Sequence, residues 1–144
     1  MHVGVAGLGR MGAAMAARLA EVGYQVSGWN RSAEKARPLA AAGVTIVETP
    51  AALAAGADTI ITSLTDAAAI DVVYGGRDAL LSGPVDGRLF IEMSTVPPAT
   101  ETALAAKVRA KGAAFVECPV GGTVLISMNR RPSTGPDRRA SRPP

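Results

Sequence analysis

Short aliphatic runs alternate along this chain with longer stretches in which alanine and leucine recur at helical spacing. Residues 2–6 read as a buried strand and residues 10–22 as a helix that stops at Gly23. Residues 24–29 alternate as a second strand. The stretch 32–42 is helical and ends at Gly43, and Pro38, more than one turn inside it, predicts a kink or a late start. Residues 44–47 form a third strand, after which Thr49 caps a helix with Pro50 at its first position, running to about residue 55. Residues 58–62 give a fourth strand, 66–74 a helix ended by Gly75 and Gly76, and 78–81 a short helical turn. A fifth strand at 88–92, a helix opened by Pro97 and Pro98 that runs to about 111, and a sixth strand at 114–117 complete the pattern. Strands alternating with helices predict an α/β fold, a doubly wound parallel sheet in a single domain over residues 1–124.

The first junction carries chemistry. Gly7-Leu8-Gly9-Arg10-Met11-Gly12 stands between the first strand and the first helix, the place of a Rossmann-type dinucleotide loop. Gly7 allows a sharp turn, Gly9 offers bare backbone to a pyrophosphate, and Gly12 permits close packing of the helix. The helix start supplies free N–H groups and the positive end of its dipole. At the tip of the second strand, where NAD sites hold an acidic residue for the ribose, no acid lies between Val22 and Ala33. Asn30 can bond a ribose without repelling a phosphate, Arg31 offers a planar cation, and Ser32 adds a hydroxyl and a helix cap. NADP is therefore expected in preference to NAD. The residues after the fourth strand, Ser63 to Asp66, share the sheet edge of the glycine loop, because parallel strands run the same way.

Composition narrows the picture. With 48% hydrophobic but only 3% aromatic residues, the interior must be built from Ala, Val, Leu and Ile, which suits helices on a parallel sheet. The net charge of +3 belongs to residues 126–144, where Arg130, Arg131, Arg138, Arg139 and Arg142 face only Asp137, so the body is close to neutral. The segment 125–144 mixes Arg, Pro and Ser and is expected to be a disordered tail. It offers no aromatics for stacking on bases, and no nucleic-acid partner is expected. The lone Cys118 excludes an internal disulfide framework, and neither a signal peptide nor a long apolar span is read. A soluble cytoplasmic protein without a metal site is the default, and a homodimer is compatible with it. His2, the single histidine, reads as a polar residue at a strand start.

Four ordered motifs give the chain a resemblance. They are the glycine loop with Met15-Ala16, Trp29-Asn30-Arg31-Ser32, Met93-Ser94-Thr95-Val96, and Glu117-Cys118-Pro119-Val120-Gly121-Gly122. Over about 120 residues the chain resembles the β-hydroxyacid dehydrogenases, which include 3-hydroxyisobutyrate dehydrogenase, glyoxylate/succinic semialdehyde reductases and 6-phosphogluconate dehydrogenase. The resemblance implies a cofactor site made of Gly7 to Gly12, Asn30, Arg31 and Ser32, with Ser63 and Leu64 beside the adenosine half and Thr95 near the nicotinamide ribose. It also implies a substrate mouth at Ser94, Gly121 and Gly122 for a small hydroxy acid or aldehyde acid. Gly121 stands where the family has a serine, which leaves backbone donors alone.

The family's catalytic lysine comes from a helix beyond this domain, and Lys35, Lys107 and Lys111 match no such motif. Proton transfer commonly contributes on the order of a hundred- to ten-thousand-fold to rate, so little catalysis is expected without it. No catalytic residue is thus expected in this chain. The change of composition after Val124 reads as a truncated or frame-shifted product. The leading expectation is an NADP-binding domain of a 3-hydroxyisobutyrate dehydrogenase-like oxidoreductase. A non-catalytic nucleotide-sensing or interaction module is the alternative. An imine reductase-like fragment is a further one, against which Ser94-Thr95 and Pro119-Val120-Gly121-Gly122 speak.

Overall fold

The computed structural model describes residues 1–119. The expected domain limit at residue 124, the expected tail, and Gly121 and Gly122 lie outside those residues. Six strands form one sheet: β1 (His2–Ala6), β2 (Gln25–Trp29), β3 (Val44–Ile46), β4 (Thr59–Thr62), β5 (Leu89–Glu92) and β6 (Ala114–Glu117). They lie in the order β3-β2-β1-β4-β5-β6, with every pair parallel. The helices are α1 (Arg10–Glu21), α2 (Ala33–Ala36), α3 (Pro50–Gly56), α4 (Ala67–Gly75) and α5 (Pro98–Ala110). This is the doubly wound Rossmann order, with the first strand at its centre.

Two cores flank the sheet. Val3 and Val5 of β1 join Val26, Val44 and Ala16 of α1 on one face. Ala6, Ile60, Phe90 and Phe115 line the other face and pack against Leu53, Ile70, Val73, Leu104 and Val108 from α3, α4 and α5. Gly4 lets α3 close on β1, because a Cβ there would stand 2.9 Å from Leu53 Cγ. Small aliphatic side chains do fill most of this interior. The two largest fully buried side chains are nevertheless aromatic, Tyr74 and Phe90, with ring centroids 6.0 Å apart.

Local differences from the sequence expectations have local causes. The segment around Pro38 is one turn of α2 followed by a 3₁₀ segment, Arg37–Ala42, because proline there withholds an N–H from the helical ladder. Thr49 caps α3 as expected, its Oγ1 accepting the Ala52 N–H at 3.1 Å. Ser32 holds the N-cap position of α2, but its side chain makes no capping bond. Residues 78–81 are turns and not a helical turn, since Asp78 has φ of +52°. The chain there is tied back to α4 by Leu80 N–H to the Val73 carbonyl (2.8 Å) and Leu81 N–H to the Tyr74 carbonyl (3.2 Å).

Candidate functional site

The strand order reverses between β1 and β4, and the loops leaving their carboxyl ends bound a crevice of the kind in which open parallel sheets hold ligands. Gly7 opens the β1 exit with φ of +90°, and a Cβ on it would stand 2.1 Å from the Ser63 carbonyl oxygen. The β1 and β4 exits therefore touch through bare backbone. Gly12 is equally constrained, its hypothetical Cβ lying 1.8 Å from the Gly7 carbonyl oxygen. Its role is thus to let the first turn of α1 close on the glycine loop itself. Gly9 is different: a Cβ there meets no atom within 4 Å, and its φ of −69° is open to any residue. Internal packing does not require glycine at that position. An open place over backbone, at the start of a twelve-residue helix with no acid in its first turn, fits a phosphate group.

Arg10 and Met11 continue the loop into α1, Arg10 exposed and Met11 half-buried. Leu8 points inward at 3% exposure and packs in the core with Val5 and Ala16. Its N–H donates to Asn30 Oδ1 at 3.0 Å, while Asn30 Nδ2 donates to the Ser32 carbonyl at 3.1 Å. The Asn30 amide therefore links the glycine loop to the loop leaving β2. Arg31 stands exposed beside it, and among the described residues the one ion pair is Arg18 with Glu21, so Arg31 has no acidic partner there. Trp29, the single tryptophan, sits half-buried at the same strand end with its indole N–H on the Glu48 carbonyl at 3.2 Å.

Across the crevice, Ser63 extends β4 through its N–H to the Ala6 carbonyl (3.0 Å), and Leu64 N–H donates to Ser94 Oγ at 2.7 Å. Ser94 is 5% exposed, whereas Thr95 beside it is open at the edge. The structure thus brings Gly7 to Gly12, Asn30, Arg31, Ser32, Ser63, Leu64, Ser94 and Thr95 to one edge of the sheet. His2 lies at the opposite edge, where its Nε2 meets Ser27 Oγ at 2.6 Å.

Pattern reasoning missed a buried polar group beneath this mouth. Glu92 is fully buried and accepts from Thr62, Tyr74 and the Ser94 N–H. Burial, and after it the Glu92 carboxylate, pushes the Tyr74 phenol well above its ordinary range, so Tyr74 remains a donor. Glu101 on α5 is 3% exposed, and neither of its carboxyl oxygens finds a donor among the described residues. Burial, followed by the carboxylates of Glu92 and Glu117, pushes its pKa up to about 7. Strand pairing could have signalled part of this, because Glu92 is the register partner of both Thr62 and Glu117.

The sequence matches, over residues 2–131, the family described as the NAD binding domain of 6-phosphogluconate dehydrogenase. The chain belongs to that family. This NAD-binding domain is 34% identical over 126 residues to the cytokine-like nuclear factor N-PAC of Danio rerio, covering 88% of the chain and 27% of that protein. It is 36% identical over 124 residues to glyoxylate/succinic semialdehyde reductase 1 of Arabidopsis thaliana, covering 85% of the chain and 43% of the reductase. Among solved structures, Psf3 in complex with NADP+ and 2-OPP superposes with a TM-score of 0.81 at 34% identity, covering 88% of this chain and 45% of Psf3. The NAD-binding domain thus spans less than half the length of these relatives. No helix among the described residues is long and apolar enough to cross a membrane.

Proposed function

We propose that this chain binds NADP(H) in preference to NAD(H), as the nucleotide half of an oxidoreductase that moves a hydride between the cofactor and a small β-hydroxy acid or its aldehyde. The observation that carries the preference is Arg31, exposed and without an acidic partner among the described residues at the tip of β2, in a stretch, residues 22–33, that contains no acid to repel a 2′-phosphate. The relative solved with NADP+ supports the same choice. Gly7 to Gly12 would hold the diphosphate and Asn30, Arg31 and Ser32 the phosphorylated ribose. Ser63 and Leu64 would stand beside the adenosine half and Thr95 near the nicotinamide ribose, with Ser94 toward the substrate. The cofactor when bound supplies the hydride chemistry. This chain's own residues seat and orient it.

Calorimetric titration with NADPH and NADH, repeated on Arg31→Ala, tests the preference. A charge-assisted phosphate contact is worth about 1.5 to 3 kcal/mol, so the parent should favour NADPH by about tenfold or more and the variant should lose that margin. Equal binding of both cofactors by the parent would overturn it. Asn30→Ala should act differently, because it removes no charge but releases two loops. Its unfolding free energy should fall by about 1 kcal/mol, and both cofactors should bind more weakly by similar factors. Urea unfolding alongside the same titrations checks this.

A second reading, a nucleotide-binding module without turnover, draws on two observations. Lys35 and Lys107 are exposed on helices, and Lys111 caps the far end of α5, so no described lysine stands at the β4–β5 mouth to move a proton. A relative of the chain is also named as a nuclear factor. Cofactor-dependent oxidation of 3-hydroxyisobutyrate by the purified chain would decide against that second reading.

A further inference from the structure

The loops that leave β4 and β5 are joined through a buried carboxylate to which the nucleotide reading gives no task. Glu92 ends β5 with no exposed surface. Its Oε2 accepts from Thr62 Oγ1 at 2.5 Å and from Tyr74 OH at 2.9 Å, and its Oε1 accepts the Ser94 N–H at 2.8 Å. Ser94 Oγ in turn accepts the Leu64 N–H at 2.7 Å. One connected set of bonds therefore runs from α4, through the ends of β4 and β5, into both exit loops.

The position of this polar group is informative. Two residues earlier on the same strands and the same face stand Ile60 and Phe90, both fully buried and apolar. Along β4 and β5 this face becomes polar only where the strands run out toward the crevice. A buried carboxylate is a poor means of gaining stability, since apolar residues of similar volume serve the core as well or better. What three convergent donors do supply is a fixed geometry, because a carboxylate saturated in this way cannot turn without leaving a buried donor unpaired. Ser94 N–H is held, its Oγ is thereby aimed, and the Leu64 backbone follows.

We propose that Glu92 is a positioning residue: with Thr62 and Tyr74 it fixes the Ser94-Thr95 loop, which receives the nicotinamide half of the dinucleotide. The inference rests on the sheet edge being a dinucleotide site. With the 2′-phosphate at the β2 tip and the diphosphate on the β1 loop, the nicotinamide half of an extended dinucleotide reaches toward the β5 exit. Glu92 therefore acts on one half of the ligand and leaves the other alone.

The test uses the full chain and two ligands, NADPH and the adenosine fragment 2′,5′-ADP. NADPH binding is read from energy transfer out of Trp29 and 2′,5′-ADP binding from calorimetry. Glu92→Gln, which turns an acceptor into a donor facing other donors, is expected to bind NADPH about tenfold more weakly and 2′,5′-ADP as the parent does. Unchanged binding of NADPH, or equal loss of both ligands by a folded variant, overturns the proposal. Should Glu92→Gln fail to fold, Tyr74→Phe decides by the same comparison, since it removes one donor and introduces no polar group. Its loss for NADPH should be smaller, about threefold, again with 2′,5′-ADP unaffected. A parent chain that binds neither ligand refutes the dinucleotide site itself, an outcome distinct from failure of the Glu92 proposal.

Discussion

A Gly9→Val chain is expected to lose no more than about 1 kcal/mol of stability, an ordinary N-cap exchange, while binding NADPH about a hundredfold more weakly. The backbone at Gly9 is extended and a Cβ there has nothing within 4 Å, so the unliganded fold has room for the side chain. That same room is where a diphosphate would rest on the main chain, and an isopropyl group would hold it off. Gly12→Ala should reverse the order of effects. Its methyl group would fall 1.8 Å from the Gly7 carbonyl oxygen, so the loop or the start of α1 must shift. A loss of about 2 to 4 kcal/mol is expected, with weakened binding as a consequence. Thermal unfolding without ligand and calorimetric titration with NADPH separate the two variants. Normal NADPH affinity in Gly9→Val would move the diphosphate away from this loop.

The second large effect concerns pH. Glu101 has an ordinary pKa of 4.5 and is pushed up to about 7 in the folded chain, first by burial and then by Glu92 and Glu117. Below pH 4.5 it is protonated whether the chain is folded or not. Between about 4.5 and 7 the folded chain keeps a proton that the unfolded chain has released, so stability falls as pH rises, and it stays low above 7. The loss is on the order of 3 kcal/mol. Glu101→Gln cannot ionise and removes this decline. The variant should therefore melt higher than the parent by roughly 10 °C at pH 8, and the two should draw together near pH 4. Unfolding curves at the two pH values check this, and a constant offset between variant and parent would refute it.

Some features declared themselves in the residue order because they depend on neighbours along the chain. The glycine triplet, the proline interruption at 38 and the Thr49 cap are of this kind, since a φ angle or a missing N–H is a property of one residue and its flanks. The alternation of strand and helix fixed a doubly wound sheet for the same reason. Other features depended on residues far apart. Asn30 was legible as a polar residue at the right strand tip, but not as the link between Leu8 and Ser32, because loop closure is a matter of three dimensions. Glu92 looked like the end of a strand, and its meeting with Tyr74 required the packing of α4 on β5. The turn at 78–81 went astray because an aspartate in the left-handed region leaves no periodic trace. Gly121 and Gly122 lie outside the described residues, so of the expected substrate mouth only Ser94 is placed at the sheet edge.

The placement of β1 in the middle of the sheet bears on how the chain assembles. Its first partner, β2, is aligned from Gln25 onward, whereas its second, β4, is aligned from Thr59 onward. Closing the longer span costs only about 0.8 kcal/mol more in chain entropy, so both pairings are accessible to a collapsing polypeptide. The glycine loop, Asn30 and Arg31 all lie within residues 2–46, the stretch that makes β1, β2 and β3. During synthesis the β1–β2 side of the crevice can therefore take shape before β4 and β5 have left the ribosome, and the later strands complete its other side on an existing template.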